Sequence, residues 1–210
     1  MQTVADLDNA FRLYVDKADS QGSADFLEGE RQQFLNDAQL RLARELVSNK
    51  SDDQDAVDLR RSLSKLATLP IAAGGEFSAL DLPDDYLAWG RARAQLATPY
   101  ENYHVATRLI SENELSSLLG DPFNRPRIAE PVVCFLHGAL QYYPGGAAQR
   151  LELSYYHRPA ALDLSTPAQV PDLAPALLPA LVQYAVQLAL ESVADPRFAT
   201  QARVAALTAG

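Results

Sequence analysis

The spacing of apolar residues changes period twice along this chain, and that order limits the folds open to it. Over residues 3–18, Val4, Leu7, Phe11, Tyr14, Val15 and Ala18 recur at three- and four-residue steps, the mark of one helical face. Thr3 followed by Asp6 resembles a capping box with the shorter acid in the last place. The QGS at 21–23 breaks this helix. The pattern restarts over 24–48 with Leu27, Phe34, Leu35, Ala38, Leu42 and Leu46, and Asn49 is suited to close it as a left-handed cap. A third, shorter helix is expected over 54–66, entered through Asp52, Asp53 and Asp55.

The period then drops to two. LATLPIAAGGEFSALDLP holds two short apolar stretches around Gly74-Gly75 and predicts a hairpin. AWGRARAQL (88–96) and ENYHVATRLI (101–110) predict strands around Thr98-Pro99. SENELSSLLG (111–120) predicts a short helix with Ser111 and Glu114 as its capping box and Gly120 as its stop. A second hairpin is expected between EPVVCFLHGALQYY and QRLELSYYHRP, turning at Pro144-Gly145-Gly146. Alternation puts Leu136, Leu140 and Tyr142 on one face of its first strand and His137, Gln141 and Tyr143 on the other. In its second strand Leu151, Leu153 and Tyr155 face the core, with Arg150, Glu152, Ser154 and Tyr156 outside. A turn centred near 146–147 would set Tyr142 opposite Leu151 and Tyr155 opposite Gly138. The two Tyr-Tyr doublets would then lie roughly 13 Å apart, too far for one stacking platform. Tyr143 and Tyr156 remain as outer-face contact residues, tyrosine being enriched at interfaces.

Helical spacing returns near the end. Pro175 suits a first turn, the helix is expected to run to about Val193, and Asp195-Pro196 caps a final helix through 207. Within 176–193 only Gln183, Gln187 and Glu191 form a polar stripe, leaving an apolar arc wider than the ~100° that one-sided packing needs. This helix is either central in its own domain or meets another subunit. Helices, strands and helices in that order predict an α+β fold: a helical bundle with an inserted antiparallel β unit made of hairpins, and C-terminal helices. The expected boundaries are 1–67 for the N-terminal helical part, 68–162 for the β-rich insertion, and 163–210 for the helices that complete the bundle and a docking arm.

Composition narrows the function. With 48% hydrophobic and 21% charged residues over 210 positions, the chain can bury a substantial core. A formal charge of −9 gives it no general attraction for phosphate backbones, so no sequence-specific nucleic-acid binding is expected. Cys134 is the one cysteine, which excludes an internal disulfide and a multi-cysteine zinc site. The three histidines are too scattered for a metal motif. The N-terminus lacks the apolar stretch of a signal peptide, and Pro179, Gln183, Gln187 and Glu191 interrupt the one candidate membrane segment, so an intracellular product off the membrane is expected.

Chemistry is not encoded in any motif. Cys134 and His137 in CFLH point to opposite faces of a strand, Cys134 as a small core residue and His137 as an outer-face histidine with no serine or acid placed to support it. Asp84-Asp85 after proline reads as a solvated turn and helix start. Neither Gly-Gly pair is followed by Lys-Ser or Lys-Thr, so neither is a phosphate loop. Arg91 and Arg93 form the compact basic pair of the β unit, read as a polar strand face. No catalytic residue, cofactor or metal is expected.

Three stretches in this order resemble the head-to-tail adaptor, or connector, proteins of tailed bacteriophages. GERQQFLNDAQLRLARELV (29–47) is similar to their N-terminal helix, with Asn36, Asp37 and Ala38 as its Asn-acid-Ala centre. LPIAAGGEFSALDLPDDYLAWGRAR (69–93) is similar to their strand, Gly turn, strand and Leu-Pro-x-Asp-Tyr-Leu run. LQYYPGGAAQRLELSYYHRPAAL (140–162) looks like their tyrosine-proline, loop, alternating strand, Tyr-Tyr and Pro element, and PALVQYAVQLALES fits the apolar helix that follows. The resemblance implies a non-enzymatic virion protein of the neck, assembled in the host cytoplasm. Its family forms rings, usually twelve-fold, that bind the portal protein on one side and tail or nozzle proteins on the other while DNA passes through. On that reading Phe198, Arg203 and Leu207 are expected to dock on the portal, and Tyr143 and Tyr156 to face neighbouring subunits or the tail. The alternatives are an intracellular binding or regulatory module with an acidic surface, and a small hydrolase using His137 or His104.

Overall fold

The computed structural model describes residues 2–17, 26–49, 53–72, 74–96, 103–136, 138–146 and 148–192. Among them the chain is mixed α+β. Its helices are α1 (Val4–Lys17), α2 (Glu28–Ser48), α3 (Gln54–Arg61), α4 (Glu112–Gly120) and α5 (Leu178–Ser192), the last entered through a 3-10 turn at Pro175–Leu177. Its strands are β1 (Ser64–Pro70), β2 (Ser78–Leu80), β3 (Tyr86–Leu96), β4 (His104–Ile110), β5 (Val132–Leu136), β6 (Ala139–Tyr143) and β7 (Ala148–His157). The described residues fall into two compact units, one drawn from 1–63 with 158–210 and the other from 64–157.

In the first unit the helix signals translate into structure. Asp6 Oδ2 accepts from the Thr3 N–H at 2.8 Å while Thr3 Oγ1 accepts from the Asp6 N–H at 3.4 Å, the reciprocal cap expected of this pair. Val4, Leu7, Phe11 and Val15 are buried, but Tyr14 is exposed, and the charged Asp8 takes a place in the interior beside Arg31 of α2. Leu35, Ala38 and Leu42 line the buried side of α2. Leu27, expected on that side, is the N-cap residue and is 72% exposed. Asn49 ends α2 with φ −70° and ψ 107°, extended rather than left-handed. Helix α3 stops at Arg61, short of the expected 66, because none of its residues is buried and Leu66 belongs to β1. Helix α5 packs on α1 and α2, and Leu178, Leu181, Val182, Ala185, Val186, Ala189 and Leu190 are all buried. Of the two explanations for its wide apolar girth, packing within the chain accounts for most of it.

A strap over residues 159–172, with turns at 164–165 and 167–168, follows, and amide side chains of α2 hold its first part. Asn36 receives the Leu162 N–H on Oδ1 at 2.7 Å and donates Nδ2 to the Leu162 carbonyl at 3.0 Å, in the manner of one more β-bridge. Gln39 donates to the Ala160 carbonyl at 2.8 Å, and Gln32 accepts from the Leu164 N–H at 3.1 Å. Strands and helices satisfy their own backbone; a strap has no ladder, so side-chain amides must supply the partners.

The second unit is a seven-stranded curled sheet in the order β1-β7-β3-β4-β5-β6-β2. Strands β1 and β7 pair with Ser64 opposite Tyr156, so the chain enters and leaves the unit side by side. Both expected hairpins are replaced by a different pairing. Gly74-Gly75 separates β1 from β2, and Pro144-Gly145-Gly146 separates β6 from β7, yet β1 pairs with β7 and β2 with β6. Tyr142 lies opposite Ser78 and Val133, not Leu151, and Tyr155 opposite Lys65 and Trp89, not Gly138. The two glycine loops meet each other at one corner of the curl. Gly145 donates its N–H to the Glu76 carbonyl at 2.9 Å, and a Cβ on Gly145 would lie 2.6 Å from the Gly75 carbonyl oxygen. The chain turns instead between Leu136 and Ala139, which are paired, with Gly138 at φ 81°, so EPVVCFLHGALQYY is two paired strands rather than one.

The sheet also departs from the antiparallel expectation. Strands β4 and β5 are parallel, with Arg108 opposite Val132, and α4 with the loop after it makes the crossover that a parallel pair requires. Ser111 caps α4 by accepting the Glu114 N–H at 3.3 Å. Residues of both edges and the middle strands fill the curl: Leu69, Leu80, Ala94, Val133, Leu140, Tyr142, Leu151, Leu153 and Tyr155. A smaller core lies under α4, where Leu115 meets Ile110, Val132, Cys134 and Tyr143.

Candidate interaction surface

The tyrosine doublets divide between these surroundings. Tyr142 and Tyr155 are in the inner core, as alternation predicts. Tyr143, expected outside, is 5% exposed because α4 covers that side of β5 and β6; its hydroxyl donates to Gln141 at 2.8 Å and its ring lies 5.6 Å from Phe77. Tyr156 is half-buried on the outer face. Tyr155 stacks on Tyr86 at 6.0 Å, Tyr86 touches Phe135 at 5.9 Å, and Phe135 meets Trp89 edge-on at 6.4 Å. The platform that the doublets could not make together is built from β3, β5 and β7. Asp84-Asp85 leads into strand β3, not a helix, and Asp85 binds Lys65 Nζ and the Tyr155 hydroxyl, each at 2.7 Å. The Lys65 ammonium, with the Tyr155 hydroxyl, holds the Asp85 carboxyl below its usual range.

Burial pushes the Tyr86, Tyr142 and Tyr155 hydroxyls up to about 12, with Asp85 adding to the effect at Tyr155. An unfolded chain releases these protons near pH 10. Their contribution to stability is therefore complete below about pH 10 and is lost as pH rises from there toward 12. In an alkaline titration followed by phenolate absorbance, a late class of tyrosines should ionise together with loss of the near-ultraviolet dichroism. Ionisation of all nine tyrosines in one early phase with the fold intact would contradict their burial.

The outer face of the sheet carries a different chemistry. Cross-strand register sets Leu66, Ser154 and Arg91 in one row, and Thr68, Glu152, Arg93 and Ala106 in the next. By the same parity Arg108 follows Arg91, and Arg150 with Gln95 and His104 forms the third row. Glu152 is the carboxylate of these rows: Arg93 Nε lies 2.5 Å from it and His104 Nδ1 3.9 Å. The Arg93 hydrogen bond holds the Glu152 carboxyl below the usual range, helped by the charges of Arg93, His104 and Arg150. Arg150 is bonded to Gln95, and Arg108 reaches Glu114 of α4 at 3.1 Å. Arg91 has no partner among the described residues.

Two grooves open on this face and adjoin at Ala106. One, of about 650 Å³, is lined by Leu66, Arg91, Arg93, Thr107, Glu152 and Ser154. The other, of about 750 Å³, lies between Arg108 and the 121–131 loop, with Phe123, Arg125 and Arg127 on its wall. Leu66 at one end and Phe123 at the other are 69% and 80% exposed. Arginines between exposed apolar anchors are the composition of a protein-binding surface.

Cys134 is 1% exposed, a core residue as expected. His104 is exposed beside Glu152, and no nucleophile is bonded to it. His137, Phe198, Arg203 and Leu207 lie outside the described residues. Among the described residues no group of three or more His, Cys, Asp or Glu could hold a metal ion, and no helix is long and apolar enough to cross a membrane. Arg91 and Arg93 stood out in the sequence; Arg108, Arg125 and Arg127 did not. Their adjacency needs the β3–β4 register and the crossover loop, which no local pattern specifies.

A family model described as SU10 adaptor protein matches residues 2–209 of the chain. No curated protein matches it.

Proposed function

Since the chain belongs to the SU10 adaptor protein family, we propose that it is a structural component of a tailed-phage virion, an adaptor ring between portal and tail through which DNA passes. The family match over nearly the whole chain carries this reading, and the order of helix, glycine-cornered β unit and apolar helix agrees with it. The helical elements act as a bundle around α5, with the β unit as an insertion that offers its outer face. Portal protein, tail or nozzle proteins and further copies of the chain are the partners; neither cofactor nor catalysis has a part. Phe198, Arg203 and Leu207 dock on the portal. Tyr156 contacts a neighbour or the tail, and the buried Tyr143 supports that surface by holding β6 beneath α4. The protein resides in the neck after assembly in the host cytoplasm.

Affinity purification of the tagged chain from cells producing the parent particle, with mass spectrometry, tests the role. A portal-sized partner in ring stoichiometry is expected. A clean monomer accompanied by no virion protein would refute it. Alanine at both Phe198 and Leu207 should abolish recovery of that partner, and unchanged recovery would remove the portal-docking assignment.

A further inference from the structure

The two grooves on the outer sheet face concentrate positive charge on a chain that is otherwise strongly negative. Lys65, Arg91, Arg93, Arg108, Arg125 and Arg127 line them against three carboxylates, a formal +3. Of the chain's eighteen basic and twenty-seven acidic residues, twelve and twenty-four remain elsewhere, a formal −12. Arg91 and Arg125 are exposed and have no partner among the described residues. Register orders the face. Leu66 and Arg91 flank Ser154, and Arg108 follows Arg91 one step beyond the paired Ala92 and Thr107. Leu66 and Arg108 are thus three strands apart, roughly 14 Å at sheet spacing, with Arg91 between them. Past Arg108 the wall of the second groove carries Arg125 and Phe123. Across the strands the order is therefore apolar, basic, basic, apolar, and the two ends, Leu66 and Phe123, are largely exposed.

We infer that this face is the docking site for an acidic segment of another protein. The segment lies across the strands, its carboxylates on Arg91 and Arg125 and its apolar side chains over Leu66 and Phe123. The rest of the chain, at a formal −12, repels such a partner, so the grooves steer its approach and set its orientation. The ion pair already beside them does not close the face, because Arg108 and Glu114 are 64% and 44% exposed and solvent keeps their attraction weak. A phosphate backbone has the right sign but not the right pattern. Glu152 stands in one groove and Asp121 and Glu130 in the other, and a nucleic-acid strand charged about every 3.4 Å cannot step over them. A protein segment places carboxylates only where the arginines are, and it brings apolar area to Leu66 and Phe123, which a phosphate backbone lacks. This contact is separate from the portal docking assigned to Phe198, Arg203 and Leu207.

Fluorescence anisotropy with the full chain and a labelled peptide, glutamates between two leucines, tests the site. Saturable binding that weakens as salt is raised is expected. Arg91→Glu combined with Arg125→Glu should lower the affinity by about tenfold or more, with circular dichroism unchanged. Arg44→Glu combined with Arg61→Glu adds the same charge at exposed positions of α2 and α3, and should leave the affinity nearly unchanged. Peptides with glutamine for glutamate, or with serine for leucine, should each bind more weakly. Leu66→Ser with Phe123→Ser should reproduce the second loss. Absence of saturable binding, equal binding of the glutamine peptide, or an equal loss in the α2 and α3 variant would overturn the inference. So would a duplex oligonucleotide that binds the face when the peptide does not, which would give the face to nucleic acid. Self-association of the wild-type chain that the arginine variant abolishes would put a second copy there instead, and would overturn it likewise. Recovery of a portal-sized partner is measured separately, so the adaptor role can stand while this contact falls.

Discussion

Replacing Arg31 with methionine should destabilise the helical unit by about 3–5 kcal/mol, the usual cost of leaving one member of a buried ion pair without its partner. The Arg31 and Asp8 side chains are only 9% and 13% exposed, and they meet twice, Nε to Oδ1 at 2.7 Å and Nη2 to Oδ2 at 3.3 Å. Arg31 Nη1 also donates to the Phe26 carbonyl at 2.6 Å, so one guanidinium ties α1, α2 and the residue before the α2 cap together. With methionine in place, the Asp8 carboxylate keeps only Arg12, whose side chain is 54% exposed. Arg12→Ala makes the contrast, since an exposed i,i+4 partner is worth less than about 1 kcal/mol. Urea unfolding followed by helical dichroism measures both. Equal effects of the two substitutions would mean that the pair is solvated. A double replacement, Asp8→Leu with Arg31→Met, should recover much of the loss, because burying two matched charges gains little over apolar packing.

Asn36→Ala should cost about 2–6 kcal/mol, with the strap as the part that comes loose. The alanine leaves both the N–H and the carbonyl of Leu162 without their partner, and Leu162 is 1% exposed, so water does not readily replace the amide. Each unpaired buried backbone group costs about 1–3 kcal/mol. Hydrogen exchange locates the effect: the amides of Leu162 and Leu164 should exchange faster, while those of β3 and β7 keep their protection. Asn36→Asp retains the acceptor for the Leu162 N–H but sets a carboxylate against the carbonyl, and should not rescue. Unaltered protection at Leu162 would show that the strap is held by its apolar contacts alone. The Asn-acid-Ala centre thus divides its tasks. Asn36 binds the strap, Ala38 is fully buried, and Asp37 faces outward.

Much of this architecture was legible before any coordinates. The Thr3–Asp6 cap, the buried stripe of α1, the Ser111 cap of α4 and the inward face of β7 all follow from spacing, because each is settled within one element by its own period or by a partner three residues away. The errors share a cause too. Asp8 was not expected inside because a charged residue enters a core only when its partner is known, and Arg31 is 23 positions away. The two Gly-Gly loops carry every local sign of hairpin turns. Their flanking strands nevertheless pair with distant segments, and the loops bond to each other across the corner where the sheet curls.

What the sequence by itself determined is most of the buried stripe of α1 and of α5, the inward face of β7, the order in which helices and strands follow one another, and that no motif for catalysis is written in it. What only the tertiary structure decided is which strands are neighbours, that one pair runs parallel, that Tyr143 is covered by α4, and that five arginines line adjoining grooves. The reason is physical. Burial of a face is a property of one element and leaves its period in the residues. A strand's hydrogen bonds are the same whichever partner makes them, so the choice among partners is settled by the packing of the whole curl at once.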